Sequence, residues 1–435
     1  MINNKLELIK EKIHKLKETG AFHVVVGSFM TKFVSFFGSI FIVRLLTKSE
    51  YGVLGYYENF MGYFFILAGH GLDTANLRYM VLADGRDAQK GRYHYALGHG
   101  TRWNALLLAA ALLTVLFYPH KDAFQGQFST GAMLMLCIPF IFLQNASLCT
   151  LRGTYQNKAY AFIAFGIAFI QIAFRVLGAA LGGLHLSVGA RLIAEAGCGI
   201  ACVFFLSRKY FSSVPAKSMD KQTEKELNTY SVQLMLTNGL WTIFMLNDVF
   251  LLGQLTGNES VIADYKIAYV IPANLSILVA AVGIFVGPYF TRYDKEKNYD
   301  WIREKLKLVL LITSSVVAFV ALLCFVFAKP LVSFIFGKQY LTAVPVMRML
   351  LIASFFNNGI RSTIANVLSA IGEQKKNLYV AGVGIAIQVL LDFLLIPRYG
   401  GIGVAVSSMS VYLVMSAVLF AVVWKRYYSK KNAEA

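Results

Sequence analysis

The residues most able to do chemistry in this chain are ionisable side chains inside long apolar stretches. Lys32 lies within MTKFVSFFG, and Asp248 lies within LNDVFLLG. A charge in such a stretch needs a partner or water, because burying it unpaired is costly. A cation there could hold an anionic group, and a carboxylate could take up a proton or Na⁺. The other basic candidates are Lys266, Arg175, Arg348 and Arg361, and the other acidic candidate is Glu195.

Each basic candidate also has a structural interpretation that the sequence leaves open. Lys32 could extend along its helix to the membrane surface or form a structural pair. Lys266 follows Asp264 near the start of its stretch and could be a solvated residue at the outer edge. The arginines could each simply reach an interface: Arg175, Arg348 and Arg361.

For the acidic residues the alternatives to ion coupling are hydrogen bonds and ion pairs. Asp248 is the best coupling candidate, and its alternative is a hydrogen-bonded or Lys-paired structural role. Glu195 lies four residues after Arg191, so we expect an ion pair within one helix in preference to coupling. Asp392 lies near the end of its stretch, just before Pro397, and we expect it at the outer interface. We predict no metal site and no cofactor.

Composition predicts that membrane-spanning helices hold these residues. Of the 435 residues, 57% are hydrophobic and 15% are charged, which excludes an ordinary soluble globule and a disordered chain. The predicted fold class is an all-α integral membrane protein with about 12 transmembrane helices, each of roughly 20 apolar residues. The predicted spans are 22–46, 51–77, 95–118, 129–151, 159–181, 186–207, 229–254, 262–290, 306–328, 331–358 with a re-entry, 377–396 and 402–424.

The distribution of positive charge predicts the orientation. With a cytoplasmic N-terminus, only six of the 41 Lys and Arg fall in outside segments, namely Arg44, Lys48, Lys121, Lys329, Lys338 and Arg398. Most of the others fall in inside segments, so both termini are predicted to be cytoplasmic. The net charge of +18 then belongs to a surface that faces anionic lipid, and no nucleic-acid partner is predicted.

An internal duplication predicts two like halves. Residues of the segment 156–188 recur 218 positions later at Gln374, Lys376, Gly384, Ile385, Ala386, Leu395, Gly400, Gly401 and Val406. Six spans return the chain to its starting side, so the halves are predicted to be parallel repeats. The predicted organisation is an amphipathic N-terminal helix over 1–21 on the inner leaflet, lobes over 22–207 and 229–424, a cytoplasmic linker over 208–228 and a tail over 425–435.

Several strings resemble the oligosaccharide flippases, of the Wzx type, in the multidrug/oligosaccharidyl-lipid/polysaccharide (MOP) exporter superfamily. The similarity runs nearly end to end and depends on the order and spacing of the strings more than on any single one. The strings are RLLTKSEYGVLGYYENF (44–60), GLDTANLRY (71–79), LNDVFLLGQLTGNESVIADYKIAYVIP (246–272), KPLVSFIFGKQYLTAVPVMRML (329–350), IGEQKKNLYVAG (371–382) and LLIPRYGGIGVAVSS (394–408).

The resemblance implies a V-shaped, MATE-like bundle that moves undecaprenyl-pyrophosphate-linked sugar repeat units across the bacterial cytoplasmic membrane. Lys32 lies where lipid-phosphate flippases of the superfamily carry a basic residue, so the resemblance implies that it contacts the pyrophosphate. The implied partners are the lipid-linked oligosaccharide, membrane lipids, H⁺ or Na⁺ and a polysaccharide polymerase. Ile267 and Tyr269 stand where an arginine is expected, so a full basic cluster does not carry over.

Two other functions remain open. A MATE-type multidrug or cation antiporter would share the fold, although the basic residues within the spans favour an anionic cargo. A membrane polysaccharide polymerase would be an enzyme, but the short outside segments and the duplication are unexpected for that class. The sequence has no G-x-x-x-x-G-K-[ST] phosphate loop, which argues against an ATP-driven pump. We predict a transporter and no enzymatic activity.

Cysteine labelling tests the predicted orientation. In a background without the five native cysteines, a membrane-impermeant thiol reagent added outside should modify Cys at position 121 or 338 and spare Cys at position 90 or 297. The charge bias requires this pattern. The reverse pattern would exclude the six-plus-six arrangement with cytoplasmic termini.

Overall fold

Long apolar runs with few breakers form helices over most of the chain. A computed structural model describes residues 21–120 and 124–427, so most of the predicted N-terminal helix and tail lie outside the described residues. The first helices are α1 Ala21–Leu45, α2 Lys48–Ile66, α3 Leu72–Val81, α4 Gly85–Phe117, α5 Phe128–Gly153 and α6 Asn157–Phe205. The later helices are α7 Lys221–Thr256, α8 Glu259–Asn274, α9 Ser276–Lys295, α10 Tyr299–Val326, α11 Ala328–Ile335, α12 Val344–Ser354, α13 Ser362–Ala370, α14 Gln374–Tyr399 and α15 Gly401–Tyr427.

The helices form two compact units that divide within α7. The first unit comprises Met1–His120 and Phe124–Leu246, and the second unit contains Asn247–Ala435. In the first unit α1 and α5 pack along α6, and in the second unit α14 packs along α15. The lobe boundaries given by the sequence remain predictions.

The described residues contain nine helices that are long and apolar enough to cross a membrane, or ten if the bent α7 counts as one span. The chain is therefore a multi-pass membrane protein, and the count of twelve spans remains a prediction. The predicted single span 262–290 differs from the structure, which divides it into α8 and α9. Here the Pro272 carbonyl accepts hydrogen bonds from the Leu275 N–H (3.3 Å) and the Ser354 hydroxyl (3.2 Å), which replace the regular helical pattern.

Glycine allows a sharp turn at the same place in both repeats. Helix α6 is kinked at Gly182 and Gly183, and Gly183 has φ 64° and ψ −147°. Gly400, between α14 and α15, has φ 53° and ψ −129°. This conformation is essentially restricted to glycine. The kink divides α6 into two arms that correspond to the predicted spans 159–181 and 186–207.

Glu50 connects the start of α2 to this turn of α6. Its side chain accepts hydrogen bonds from the Thr47 N–H (2.9 Å) and hydroxyl (2.8 Å), which completes a capping box with Thr47 as N-cap. It also accepts a hydrogen bond from the Leu184 N–H (3.0 Å) just after Gly183. Burial alone would raise the pKa of the Glu50 carboxyl, but these bonds hold it below its ordinary value of 4.5.

Replacing Glu50 tests this connection. Glu50→Ala should lower the melting temperature of the purified protein at pH 7, because removing a helix-capping acceptor costs about 0.5–2 kcal/mol. Glu50→Gln should lower the melting temperature less, since the single amide oxygen can replace only one of the two carboxylate oxygens, either the one that Thr47 uses or the one that Leu184 uses. The pKa is lowered in the folded state, so the stabilisation is present above the ordinary pKa and lost as pH falls through the lowered one. The Ala variant should therefore approach the wild type in acid, and equal melting temperatures at pH 7 would contradict the assignment.

Candidate functional site

The first unit holds a network of ionic side chains that joins α2 to α6. Glu58 of α2 accepts hydrogen bonds on one carboxylate oxygen, Oε1, from Arg175 Nη2 (2.7 Å) and from Arg191 Nη1 (2.9 Å). The two arginines lie on opposite arms of α6. One carboxylate therefore bridges two guanidinium groups.

The same network continues to Glu195. Arg191 Nε lies 3.6 Å from Glu195 Oε1, which is the ion pair within one helix that the sequence predicts. Gln144 and Gln171 donate amide hydrogens to Glu195 Oε2 at 2.8 and 2.6 Å. Two arginines and two glutamates make this network neutral, so its charges are matched within the protein.

The kink in α6 positions the two arginines side by side. A Cβ at Gly178 would lie 2.5 Å from the Leu186 carbonyl oxygen, so only glycine allows the arms to pack this closely. The Ser187 hydroxyl donates to the Arg175 carbonyl at 3.0 Å. The arginines are thus held on a rigid hairpin, whereas Glu58 comes from a different helix.

The two ends of the network differ in exposure. The side chain of Glu58 is 22% exposed, and those of Arg175 and Arg191 are 18% and 12% exposed. Glu195 is 5% exposed. The bridging end can therefore be reached from outside the unit, whereas the Glu195 end is closed.

A second polar cluster surrounds Asp248 in the second unit. Asp248 Oδ2 accepts a hydrogen bond from the Tyr265 hydroxyl, and Oδ1 accepts one from Gln388 Nε2, both at 2.5 Å. Gln388 Nε2 also lies 3.4 Å from the Ser408 hydroxyl. Asp248, the predicted coupling residue, is thus held by neutral donors from two other helices.

Asp392, which the sequence led us to expect at the outer interface, is completely buried within the protein. Its depth relative to the membrane surface stays a prediction. Among the described residues, neither of its carboxylate oxygens has a hydrogen-bond partner, and neither does Gln388 Oε1. The nearby Ser407 hydroxyl donates instead to the Gly403 carbonyl oxygen at 3.1 Å. Hydropathy gave the depth of Asp392 along α14 but not the side of the helix that it occupies.

The Asp248 cluster offers oxygen ligands without a compensating cation. Asp392 lies one helical turn after Gln388, whose amide donates to Asp248. No Lys or Arg pairs with either carboxylate within the described ranges. Carboxylate and amide oxygens are ligands for hard cations, so this arrangement can bind a proton or Na⁺.

The other predicted basic residues make different contacts. Arg348 donates to the Phe325 carbonyl near the end of α10 (3.3 Å) and lies over the Phe325 ring, which favours a capping role. Arg361 donates to Asn357 Oδ1 on its own helical segment (2.6 Å). Lys32 is exposed on α1, and Lys266 is half-buried on α8.

Sequence reasoning missed several residues of the two clusters. Glu58 lies in an aromatic string that suggested only the resemblance, and Gln144, Gln171 and Gln388 carry no charge. One signal was available: Gln171 precedes Arg175 by four residues, just as Gln388 precedes Asp392. These pairs recur at nearly the offset of the internal duplication.

Solved structures share this fold. An inward-facing multidrug resistance MATE family transporter of the MOP superfamily has a TM-score of 0.71 at 16% identity, covering 93% of this chain and 96% of its own. The lipid II flippase MurJ in an inward closed conformation has a TM-score of 0.68 at 17% identity, covering 92% and 87%. The predicted all-helical MOP exporter fold is confirmed.

Sequence comparisons give a relative and a family. An uncharacterized membrane protein of Methanocaldococcus jannaschii is 22% identical over 420 residues, which are 90% of this chain and 80% of that protein. The sequence model of a family described as "Polysaccharide biosynthesis protein" matches residues 41–345. That match covers more than half of the chain.

Proposed function

Because the chain belongs to the polysaccharide biosynthesis protein family, we propose that it is a flippase for lipid-linked oligosaccharide repeat units. The cargo would be an oligosaccharide carried on undecaprenyl pyrophosphate, moved from the inner to the outer leaflet of the cytoplasmic membrane. The family match over residues 41–345 carries this proposal, and the MOP exporter fold supports it. Both termini would be cytoplasmic, as the charge bias predicts.

The physical task explains why such a protein needs charged side chains within its spans. A sugar and a pyrophosphate cannot cross hydrocarbon unaided, because their polar groups would lose their hydrogen bonds to water. A flippase offers a hydrated, partly cationic path and opens it alternately to each side. Lys32, Lys266, Arg175, Arg348 and Arg361 are the candidates for contact with the cargo, and a polymerase would use the exported repeat unit. The protein itself would break no covalent bond.

The Asp248 cluster supports coupling of transport to a cation. Among the residues that the structure describes, Asp392 has two buried oxygens without a hydrogen-bond partner, and Gln388 adds a third. Such a site is stabilised when a cation enters, since an unpaired buried charge is costly. We therefore assign coupling by Na⁺ or a proton to Asp248 together with Asp392. Glu195 is a weaker candidate because Arg191 and two amides already satisfy it.

A cation antiporter is the second candidate function. Carboxylates without a basic partner could also hold part of a cationic substrate, and a multidrug resistance transporter shares the fold. The basic residues of the first unit favour an anionic cargo instead.

Thermal unfolding in detergent tests the cation site. The wild type should melt at a higher temperature in NaCl than in choline chloride at equal ionic strength, and binding at about 100 times the dissociation constant adds about 2.7 kcal/mol. Asp392→Asn should abolish the difference. Asp300→Asn is the matched control, because Asp300 is an exposed residue of the same unit paired with Arg303. A wild type that does not respond to Na⁺ would exclude Na⁺ and leave the proton.

Leaflet-selective probing of a deletion strain tests the flippase proposal. Without the protein, single repeat units on undecaprenyl pyrophosphate should accumulate and be accessible to a glycosidase only from the cytoplasmic side. Loss of a polymerase would instead leave single repeats exported and attached to the surface acceptor. An antiporter deletion would leave the polysaccharide unchanged. Repeat units on the outer leaflet of the deletion strain, in the absence of a second flippase, would falsify the proposal.

A further inference from the structure

Arg175 and Arg191 form a geometry suited to a phosphate group. Their guanidinium nitrogens lie 2.7 and 2.9 Å from a single oxygen. Arginine is the residue best matched to phosphate and carboxylate, because its planar fork donates several hydrogen bonds in fixed directions. Here the oxygen at the meeting point belongs to Glu58 of the protein itself.

The two arginines and Glu58 come from different helices. Both arginines lie on the α6 hairpin, whose arms are fixed to each other by the close approach at Gly178 and the Ser187 hydrogen bond to the Arg175 carbonyl. Arg191 is also paired with Glu195. Glu58 comes from α2, whose far end is followed by three consecutive residues with left-handed backbone, Gly69 to Gly71. The arginine pair is therefore held on one hairpin, and Glu58 reaches it from α2, which Glu50 fixes to the same hairpin at its start. The exchange then concerns the side chain of Glu58 and not the position of its helix.

The internal repeat provides a second, independent observation. A shift of 217 positions relates Gln171 and Arg175 to Gln388 and Asp392, and the same shift relates Arg191 to Ser408. The position of Arg175 in the first unit thus corresponds to that of Asp392 in the second, whose carboxylate oxygens have no hydrogen-bond partner among the described residues. The position of Arg191 corresponds to that of a serine. The repeated segment therefore offers acceptor oxygens for a cation in the second unit and hydrogen-bond donors for an anion in the first unit.

We propose that Arg175 and Arg191 form a phosphate seat for the cargo, and that Glu58 is its internal occupant, displaced when the phosphate arrives. This inference rests on the proposed function, since it assigns a contact site for the diphosphate of the same lipid. A diphosphate carries more negative charge than one carboxylate and presents more acceptor oxygens. It can therefore compete for both arginines, whereas an uncharged lipid cannot.

The exchange gives Glu58 a role in specificity. While Glu58 occupies the seat, the network is neutral and α2 is tied to α6. To displace Glu58, a cargo must interact with Arg175 and Arg191 at least as strongly as Glu58 does. This requirement excludes lipids without a strongly anionic group.

The experiment measures the melting temperature of the full purified chain against increasing farnesyl diphosphate, inorganic pyrophosphate or farnesol. Glu58→Gln should lower the farnesyl diphosphate concentration needed for half the shift by about tenfold, because the charged competitor is gone. Arg175→Gln and Arg191→Gln should each raise it by about tenfold or more. Arg152→Gln is the matched control: it makes the same change in the same unit, where Arg152 lies over the Tyr160 ring. It should leave the concentration unchanged.

Each outcome decides the proposal. If pyrophosphate and farnesyl diphosphate shift the melting temperature equally, the site recognises the diphosphate alone. If farnesyl diphosphate gives the larger shift, the site also contacts the farnesyl chain. An equal response to farnesol, or an equal effect of Arg152→Gln, overturns the seat. If Glu58→Gln does not fold, the arginine variants still decide, since each leaves Glu58 one arginine partner.

The seat and the flippase proposal can fail separately. Binding uses a purified protein and a probe without sugar, whereas the deletion strain reports transport in the cell. The phosphate seat would be supported and the flippase function rejected by two results together. Both arginine variants would lose diphosphate binding, and the deletion strain would carry repeat units on its outer leaflet. The opposite pair of results would retain the flippase and reject the seat.

Discussion

Charged side chains within a membrane domain must be satisfied by the protein itself, because hydrocarbon offers no hydrogen bonds. This constraint organises both units of the chain. In the first unit it is met by contacts in which Glu58 and Glu195 pair with Arg175 and Arg191. In the second unit it is met only in part. Asp248 has two neutral donors, whereas Asp392 is buried with two oxygens that none of the described residues satisfies.

The difference between the clusters has a chemical consequence. A neutral, satisfied network can accept a new anion only if it releases one of its own, so it favours exchange. A set of buried acceptor oxygens can bind a cation without releasing another group, so it favours direct binding of the cation. Because Gln171 and Arg175 correspond to Gln388 and Asp392 in the repeat, one position carries an arginine in the first unit and a carboxylate in the second. Transport of an anionic cargo coupled to a cation would use both.

The turns and breaks that interrupt the helices determine the positions of these side chains as much as the helices themselves do. The turn at Gly183 folds α6 back on itself, so that residues 16 positions apart both reach Glu58. Glu50 fixes that turn to the start of the helix that carries Glu58. At Pro272 the chain ends α8 and begins α9, which limits the helix that carries Tyr265. Polar residues and glycines in apolar segments thus determine where charged side chains from other parts of the chain meet.

The sequence by itself determined the membrane class, the family and the contacts within single helices. The pairing of Arg191 with Glu195 followed from their spacing of four residues, because neighbours on one helix face are fixed by the helical period. Only the tertiary structure decided the rest. Glu58 is separated by 117 and 133 positions from its two arginines, and Gln388 by 140 from Asp248. Hydropathy gives the depth of a residue in the membrane, but which helix faces meet depends on packing between segments remote in sequence, and this packing buried Asp392 inside the protein.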